Sequence, residues 1–198
     1  MCLTKEKVNK NPLWQTTNKE RKSYYIYFTG QNMIYTLVTT ILTTALLFQG
    51  IDVAKAAGIT LLIKIWDAVN DAIFGCIFDK IRFKSGKKFM PWLKISLIAI
   101  PVSTILLFSM PKDGSEAFKL AWYAITYILW DTAYTLCDVP IYGMVTAMTE
   151  RLDERTALQS YKSIWGGAGS GLSTILATVL AGEGIGFSYS TVSIIISV

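Results

Sequence analysis

Long apolar stretches separated by short polar segments make up most of this chain of 198 residues. An α-helix needs ~20 apolar residues, each rising ~1.5 Å, to cross the ~30 Å of hydrocarbon in a bilayer. The pattern therefore predicts an all-α, polytopic membrane protein with five full spans and a partial sixth. We expect the full spans at residues 24–48, 56–78, 89–110, 118–148 and 157–181, and the start of the sixth near Phe187.

The two ends of the chain differ from this apolar middle. Residues 1–23 are polar and rich in lysine, and they lack the apolar core of a signal peptide. We expect residues 1–23 to form a cytoplasmic segment and residues 24–198 to form the helical bundle. The last apolar run reaches Val198 after too few residues to cross a bilayer. We therefore expect a truncated sixth helix, in a chain that is a fragment or a truncated product.

Lysine and arginine residues are unevenly distributed between the two sides of the predicted spans. Thirteen lie in the N-terminal segment and in the loops after the second and fourth spans, and three lie on the opposite side. Since cytoplasmic loops are enriched in Lys and Arg, we expect a multi-pass protein of the cell membrane with a cytoplasmic N-terminus. The thirteen are Lys5, Lys7, Lys10, Lys19, Arg21, Lys22, Lys80, Arg82, Lys84, Lys87, Lys88, Arg151 and Arg155, and the three are Lys55, Lys112 and Lys119.

Composition argues against several other classes of protein. The chain is 52% hydrophobic and 17% charged, whereas soluble domains carry ~25% charged residues. The net charge of +5 comes from short segments between apolar runs, so we expect no nucleic-acid partner. The chain contains no histidine, which removes the usual general base and the usual metal ligand. We expect no cofactor.

The second span contains three polar residues that are unusual in a membrane, Asp67, Asn70 and Asp71. Their spacing of i, i+3 and i+4 puts the three side chains on one face of a helix. A carboxylate at the bilayer centre costs ~2.5–3.5 kcal/mol, and two of them repel unless a cation or a proton lies between them. We expect Asp67 and Asp71 to bind a cation, Na⁺ rather than a transition metal. The alternative is a structural ion pair between Asp67 and Lys64, which lies three residues earlier.

A second polar stripe runs along the fourth span, where Asp131, Thr135, Asp138 and Tyr142 recur at i, i+4, i+7 and i+11. Thr135 can add a hydroxyl oxygen to the ligands of a hard cation. Asp131 lies nearer the outer end of the span, and both a structural role and contact with interfacial water remain open for it. Lys162, at the start of the fifth span, either extends to the membrane interface or acts as the counter-charge and hydrogen-bond donor opposite Asp138.

Three motifs together resemble a known family. They are WDAVND at residues 66–71, YTLCDVP at residues 134–140, and a loop that contains Gly75, Asp79, Lys80, Gly86, Lys87 and Lys88. The chain resembles the glycoside–pentoside–hexuronide:cation symporters, the melibiose-permease branch of the major facilitator superfamily, over nearly all of residues 24–181. The resemblance implies the six-helix N-terminal half of a twelve-helix fold, which carries a sugar by alternating access and is driven by Na⁺, Li⁺ or H⁺.

The resemblance also implies roles for individual residues. It assigns a cation site to Asp67, Asn70, Asp71 and Thr135, and sugar binding to Asp138 and Tyr134. Four further sugar-site positions depart from the melibiose pattern, and such replacements are expected to change sugar selectivity. They are Gln31 in place of Lys, Asn32 in place of a sugar-binding Asp, Tyr142 in place of Trp, and Lys162 in place of Arg.

The resemblance further implies membrane lipid, a sugar or glycoside, and the missing C-terminal half of the same transporter as partners. Two other interpretations remain open. One is a truncated half-transporter that does not transport and instead binds or regulates a partner. The other is an intramembrane aspartyl hydrolase that uses acids on two spans, although the Gly-x-Gly-Asp context of such enzymes is missing here.

Overall fold

The structure is a computed structural model that describes residues 14–81, 89–182 and 185–197. Within these residues all regular secondary structure is helical, so the all-α prediction is confirmed. The first predicted span is one continuous helical stretch in which a π-helical turn separates two α-helices. The helices are α1 (Asn18–Thr36), the π-helical segment Leu37–Ile41, α2 (Leu42–Phe48), α3 (Val53–Lys80), α4 (Met90–Phe108), α5 (Glu116–Met148), α6 (Leu152–Ala181) and α7 (Tyr189–Ser197).

Several helices begin before the apolar runs because polar residues cap their first turns. At α1, the Thr17 side chain accepts from the Glu20 N–H, and Glu20 accepts from the Thr17 N–H at 2.8 Å, which is a capping box. The Asp52 carboxylate accepts from the Ala54 N–H at 2.7 Å at the start of α3. The apolar pattern therefore locates the membrane part of each helix, whereas the caps set where the helix begins.

Among the described residues, three helical stretches are both long enough and apolar enough to cross a membrane: Asn18–Phe48, Met90–Phe108 and Leu152–Ala181. Helices α3 and α5 are longer than the ~20 residues that a span needs, but charged side chains interrupt their apolar character. Helix α7 contains nine described residues. The described helices thus have the composition of a polytopic membrane protein.

Helix packing places α5 between α3 and α4, while α1 lies along α6 and α7 packs mainly on α4. The α1–α6 contact is close because glycines on α6 face α1: a Cβ atom at Gly169 would collide with the carbonyl oxygen of Thr29. Small residues at a helix interface let two backbones approach in this way. Helix α5 contributes to both apolar clusters of the core, with Trp130 in one and Cys137 in the other.

Glu154, in the first turn of α6, holds the segment that precedes α1. Its carboxylate is only 1% exposed and accepts hydrogen bonds from the backbone N–H groups of Gln15 at 2.9 Å and Thr16 at 2.8 Å. The hydroxyl groups of Thr16 and Thr149 donate to the same carboxylate at 2.5 and 2.6 Å. The described end of the predicted 1–23 segment is therefore attached to the connection between α5 and α6, and we call these four residues the Glu154 cluster.

Some sequence predictions fall outside the described residues. They concern the first thirteen residues and the basic loop between α3 and α4, together with the end of the chain. The positions are 1–13, Arg82, Lys84, Gly86, Lys87, Lys88 and Val198, together with the side chain of Asp79.

Candidate functional site

A cavity of about 460 Å³ lies between α1, α5 and α6. Each helix contributes residues at helical spacing, so each presents one face to the cavity. We call it the central cavity. It is lined by Phe28, Gln31, Asn32 and Tyr35 from α1, by Tyr134, Asp138 and Tyr142 from α5, and by Lys162, Ser163 and Gly166 from α6. All six residues that the sequence predicts for a sugar site therefore line one cavity.

Gln31 and Asp138 form the polar contact between α1 and α5 in this cavity. The Gln31 Nε2 group donates to Asp138 Oδ1 at 3.0 Å and approaches the Cys137 sulfur at 3.6 Å. The Oε1 atom of Gln31 is buried and has no hydrogen-bond partner among the described residues. A buried acceptor without a donor is unfavourable unless a ligand supplies one. The central cavity therefore has one carboxylate available to hydroxyl groups, beside an amide oxygen that lacks a donor.

Lys162 points into the central cavity instead of extending to the membrane interface. Its Nζ atom lies 3.8 Å from the ring centroid of Tyr142 and 4.6 Å from that of Phe28. These are cation–π distances, at which the electron-rich ring faces stabilise an ammonium group. The described residues form no ion pair with Lys162, so its N–H groups remain available to a ligand opposite Asp138.

Aromatic rings form much of the remaining wall. Tyr134 stacks on Trp130 with centroids 5.0 Å apart, and its other neighbour is Tyr35 at 5.4 Å. The Asn32 amide donates to the Phe28 carbonyl oxygen at 2.9 Å, which directs it along α1. Gly166 on α6 leaves room for this position, since a Cβ atom there would lie 2.8 Å from Asn32 Nδ2 and would make the amide shift.

The predicted cation residues meet at the contact between α3 and α5. Asn70 Nδ2 donates to Thr135 Oγ1 at 2.9 Å. The Thr135 hydroxyl is in turn 3.3 Å from Asp71 Oδ1 and 3.1 Å from the Asp131 carbonyl oxygen, so its single proton is shared between two acceptors. Asn70 and Thr135 are buried, whereas Asp71 is exposed. We call Asp67, Asn70, Asp71 and Thr135 the α3–α5 polar group.

Asp67 is engaged differently from the other three members of this group. Its Oδ2 atom forms an ion pair with Lys64 Nζ at 3.1 Å, and both side chains are partly exposed. The ion-pair alternative of the sequence analysis is therefore present, although the pair is not buried. No three His, Cys, Asp or Glu side chains converge closely enough to hold a metal ion within the described ranges. Any cation here would depend on amide and hydroxyl oxygens as well as carboxylates, which are the ligands of hard cations.

Asp131 is the polar residue whose surroundings the sequence predicted least well. It does not reach interfacial water: the residue is 5% exposed, and its Oδ2 atom is buried with no hydrogen-bond partner among the described residues. Its carboxylate faces α3, where Asp67, Lys64 and Asp71 are the charged groups that act on it. The i, i+4 spacing to Thr135 placed it on the right face of α5, but the spacing could not indicate its burial.

Four residues of the central cavity were not predicted, namely Phe28, Tyr35, Ser163 and Gly166. Helical periodicity contained a signal for the first two, because Phe28 and Tyr35 flank Gln31 and Asn32 at positions i and i+7 of one face. A larger cavity of about 550 Å³ lies where α2 and α4 end and α7 begins, but its described lining contains no carboxylate. The central cavity is therefore the better candidate for a polar ligand.

Comparison with known proteins finds similarity to transport proteins. Residues 24–196 match the family model described as MFS/sugar transport protein. The chain is 33% identical over 117 residues to the uncharacterized symporter YjmB of Bacillus subtilis. These aligned residues cover 58% of this chain and 25% of that protein. It is 29% identical over 164 residues to the isoprimeverose transporter of Lactiplantibacillus pentosus, covering 81% of this chain and 33% of that protein.

A third relative is the lactose permease of Lactobacillus helveticus, with 28% identity over 154 residues, 69% of this chain and 24% of that protein. The chain thus spans about a quarter to a third of the length of these curated relatives.

Proposed function

The chain belongs to the MFS/sugar transport protein family, and from that premise we propose that it forms the N-terminal part of a cation-coupled sugar symporter. The members of this family are transporters, which removes the hydrolase alternative. The proposed substrate is a sugar or glycoside, and the proposed coupling ion is Na⁺, Li⁺ or H⁺. The proposed location is the cell membrane, with the N-terminus in the cytoplasm.

One observation carries the proposal. Thr135, in the α3–α5 polar group, and Asp138, in the central cavity, lie three residues apart on α5. At a rise of ~1.5 Å per residue, their positions along the helix axis differ by ~4.5 Å. An ion between α3 and α5 would therefore fix the turn of α5 that presents Asp138 to the sugar.

Charge repulsion supplies the free energy for this coupling. Asp67 and Asp71 lie on one helix face, and Lys64 compensates only Asp67. A cation that contacts Asp71, Thr135 and the Asn70 amide oxygen would relieve the repulsion and hold α3 against α5. Because linkage is reciprocal, an ion that increases sugar affinity is itself bound more tightly when sugar is present.

The lining of the central cavity fits a polyhydroxylated ring. Asp138 and the free Oε1 atom of Gln31 would accept hydrogen bonds from sugar hydroxyls, and Lys162 would donate to them. Hydrogen bonds to charged groups contribute ~1.5–3 kcal/mol each, which is enough for selective binding in a buried site. The rings of Tyr134 and Tyr142 would cover the apolar faces of the sugar.

The proposal includes partners that complete the transporter. Large apolar side chains such as Ile98 and Leu61 are exposed on the helices, which suits contact with lipid and with a second helical half. The two halves would rock around a substrate site near the membrane midplane. The competing proposal is a half-transporter that binds or regulates a partner without transport, and transport activity distinguishes the two.

Sugar uptake into proteoliposomes tests the proposal directly. Purified intact protein is reconstituted, and uptake of radiolabelled isoprimeverose, lactose and a glucuronide is measured with an inward Na⁺, Li⁺ or proton gradient. Accumulation of one sugar with one cation gradient and not with a K⁺ gradient supports coupled symport. Equal uptake with every gradient would contradict cation coupling, and no uptake of any sugar would favour the non-transporting alternative.

A further inference from the structure

Asp131 is a buried carboxylate that forms no ion pair with a basic side chain among the described residues. It is 5% exposed, its Oδ2 atom has no hydrogen-bond partner, and the described residues contain no ion pair to it. Removing a carboxylate from water without pairing it is strongly unfavourable. Such a group is stabilised either by a proton or by a bound cation at that place.

The surroundings of Asp131 identify where that ligand would bind. The charged groups that act on its carboxylate are Asp67, Lys64 and Asp71, all on the polar face of α3, and the Asp67 carboxyl lies within hydrogen-bonding reach of it. Lys64 Nζ lies 3.1 Å from Asp67 Oδ2, and among the described residues it forms its ion pair with Asp67 and not with Asp131. The backbone of Asp131 is held beside the same group, because the Thr135 hydroxyl is 3.1 Å from its carbonyl oxygen.

We propose that Asp131 binds the coupling ion directly from the α5 side, together with Asp71 and the Thr135 hydroxyl, while Asp67 stays paired with Lys64. This inference rests on the proposed function. It changes the charge of the site: three carboxylates and one lysine leave two negative charges in excess, so one monovalent cation does not neutralise the site. Cation affinity rises with the number of charged oxygen ligands, and Asp131 is the most deeply buried of the three.

The inference also assigns distinct tasks to the three acids. Asp67 holds Lys64, Asp71 contacts the Thr135 hydroxyl, and Asp131 contributes the unpaired oxygen from the opposite helix. With ligands from both α3 and α5, the ion would stabilise the contact between the two helices. The charge of Asp131 would therefore matter for ion affinity more than for packing.

Sodium binding to the purified intact protein tests this assignment. The thermal unfolding midpoint is measured against NaCl concentration, with choline chloride maintaining ionic strength, for Asp131→Asn, Asp71→Asn and the control Asp113→Asn in the exposed loop before α5. We expect at least about tenfold weaker Na⁺ affinity for Asp131→Asn and for Asp71→Asn, and no change for Asp113→Asn. Without Na⁺, the Asp131→Asn midpoint should be equal to or higher than that of the unmodified protein, because an uncompensated buried charge has been removed.

The outcomes separate this inference from the proposed function. Unchanged Na⁺ affinity in Asp131→Asn, with loss of affinity in Asp71→Asn, would overturn the role of Asp131 and leave the proposed cation site standing. A lower midpoint or loss of folded protein in Asp131→Asn without Na⁺ would also overturn it, since it would indicate a carboxylate that braces the helices. If Na⁺ fails to stabilise the unmodified protein, the proposed coupling to Na⁺ and this role of Asp131 are both contradicted.

Discussion

The side-chain amide of Gln31 donates a hydrogen bond to the Asp138 carboxylate across 3.0 Å, and this contact joins α1 to α5 inside the central cavity. A neutral donor orients the carboxylate without neutralising it. The negative charge of Asp138 therefore remains available to hydroxyl groups of a ligand. Lys162 lies against two aromatic rings of the same cavity and has no ion-pair partner among the described residues. A ligand can therefore donate to the Asp138 carboxylate and accept from the Lys162 ammonium group.

The hydroxyl group of Thr135 gives a direct test of the α3–α5 polar group. Thr135→Val keeps the shape of the side chain but removes the acceptor for Asn70 and the donor to Asp71. We expect Na⁺-stimulated sugar uptake to fall about tenfold, since each lost hydrogen bond to a charged group is worth ~1.5–3 kcal/mol. Thr135→Ser keeps the hydroxyl and should retain most of the stimulation. Equal loss in the Val and Ser variants would mean that packing, not the hydroxyl, is responsible.

Close packing between α1 and α6 predicts an unequal response of neighbouring glycines. In Gly169→Ala the new methyl group collides with the Thr29 carbonyl, so we expect stability to fall by ~1–3 kcal/mol. A Cβ atom at Gly167 or Gly171 meets nothing within 4 Å, and alanine there should be neutral or slightly stabilising. Thermal unfolding of the purified variants measures this difference. Similar midpoints for all three variants would contradict the described α1–α6 contact.

The Glu154 cluster predicts that one carboxylate anchors the segment before α1. Glu154→Ala removes the acceptor of four hydrogen bonds, and we expect a loss of ~3 kcal/mol or more in stability. Asp153→Ala, at an exposed position in the same turn of α6, is the matched control and should change stability little. Limited proteolysis provides a second measurement, because the freed segment should be cut faster in Glu154→Ala alone. Equal cleavage of both variants would refute the anchoring role.

The distribution of lysine and arginine residues predicts which loops face the cytoplasm. In a variant without native cysteines, Lys84→Cys should resist a membrane-impermeant maleimide in intact cells and react after permeabilisation, because its loop is rich in basic residues. Lys112→Cys, between α4 and α5, should react in intact cells. Labelling of position 84 from outside would reverse the predicted topology.

The sequence predicted the helices and the faces of the central cavity because both depend on local periodicity. Gln31, Asn32, Tyr134, Asp138, Tyr142 and Lys162 all line the cavity as expected. The π-helical turn at Leu37–Ile41 was not predicted, since it has no simple residue signature. This turn is a local feature of the backbone, and it leaves the predicted order of the helices unchanged.

Contacts between distant parts of the chain explain the burial of two carboxylates that helical periodicity did not predict. Glu154 looks like an ordinary charged residue at a helix start, but residues far away in the chain fold back to bury it. Asp131 has the spacing of a stripe residue, but its burial depends on how closely α5 packs against α3. Neither fact can be read from the neighbouring sequence, because each depends on a partner that is distant along the chain.

The central claim is that the ion and the sugar bind at adjacent but separate places on α5. It is tested most directly by sugar binding and cation-stimulated uptake in the intact protein with Asp71→Cys and with Asp138→Ala. Asp71→Cys should abolish cation stimulation and leave part of the cation-independent sugar binding, because it removes a proposed ion ligand outside the central cavity. Asp138→Ala should abolish sugar binding itself, because it removes the carboxylate that Gln31 orients. Equal loss of sugar binding in both variants would contradict this division and would favour a structural role for the charged face of α3.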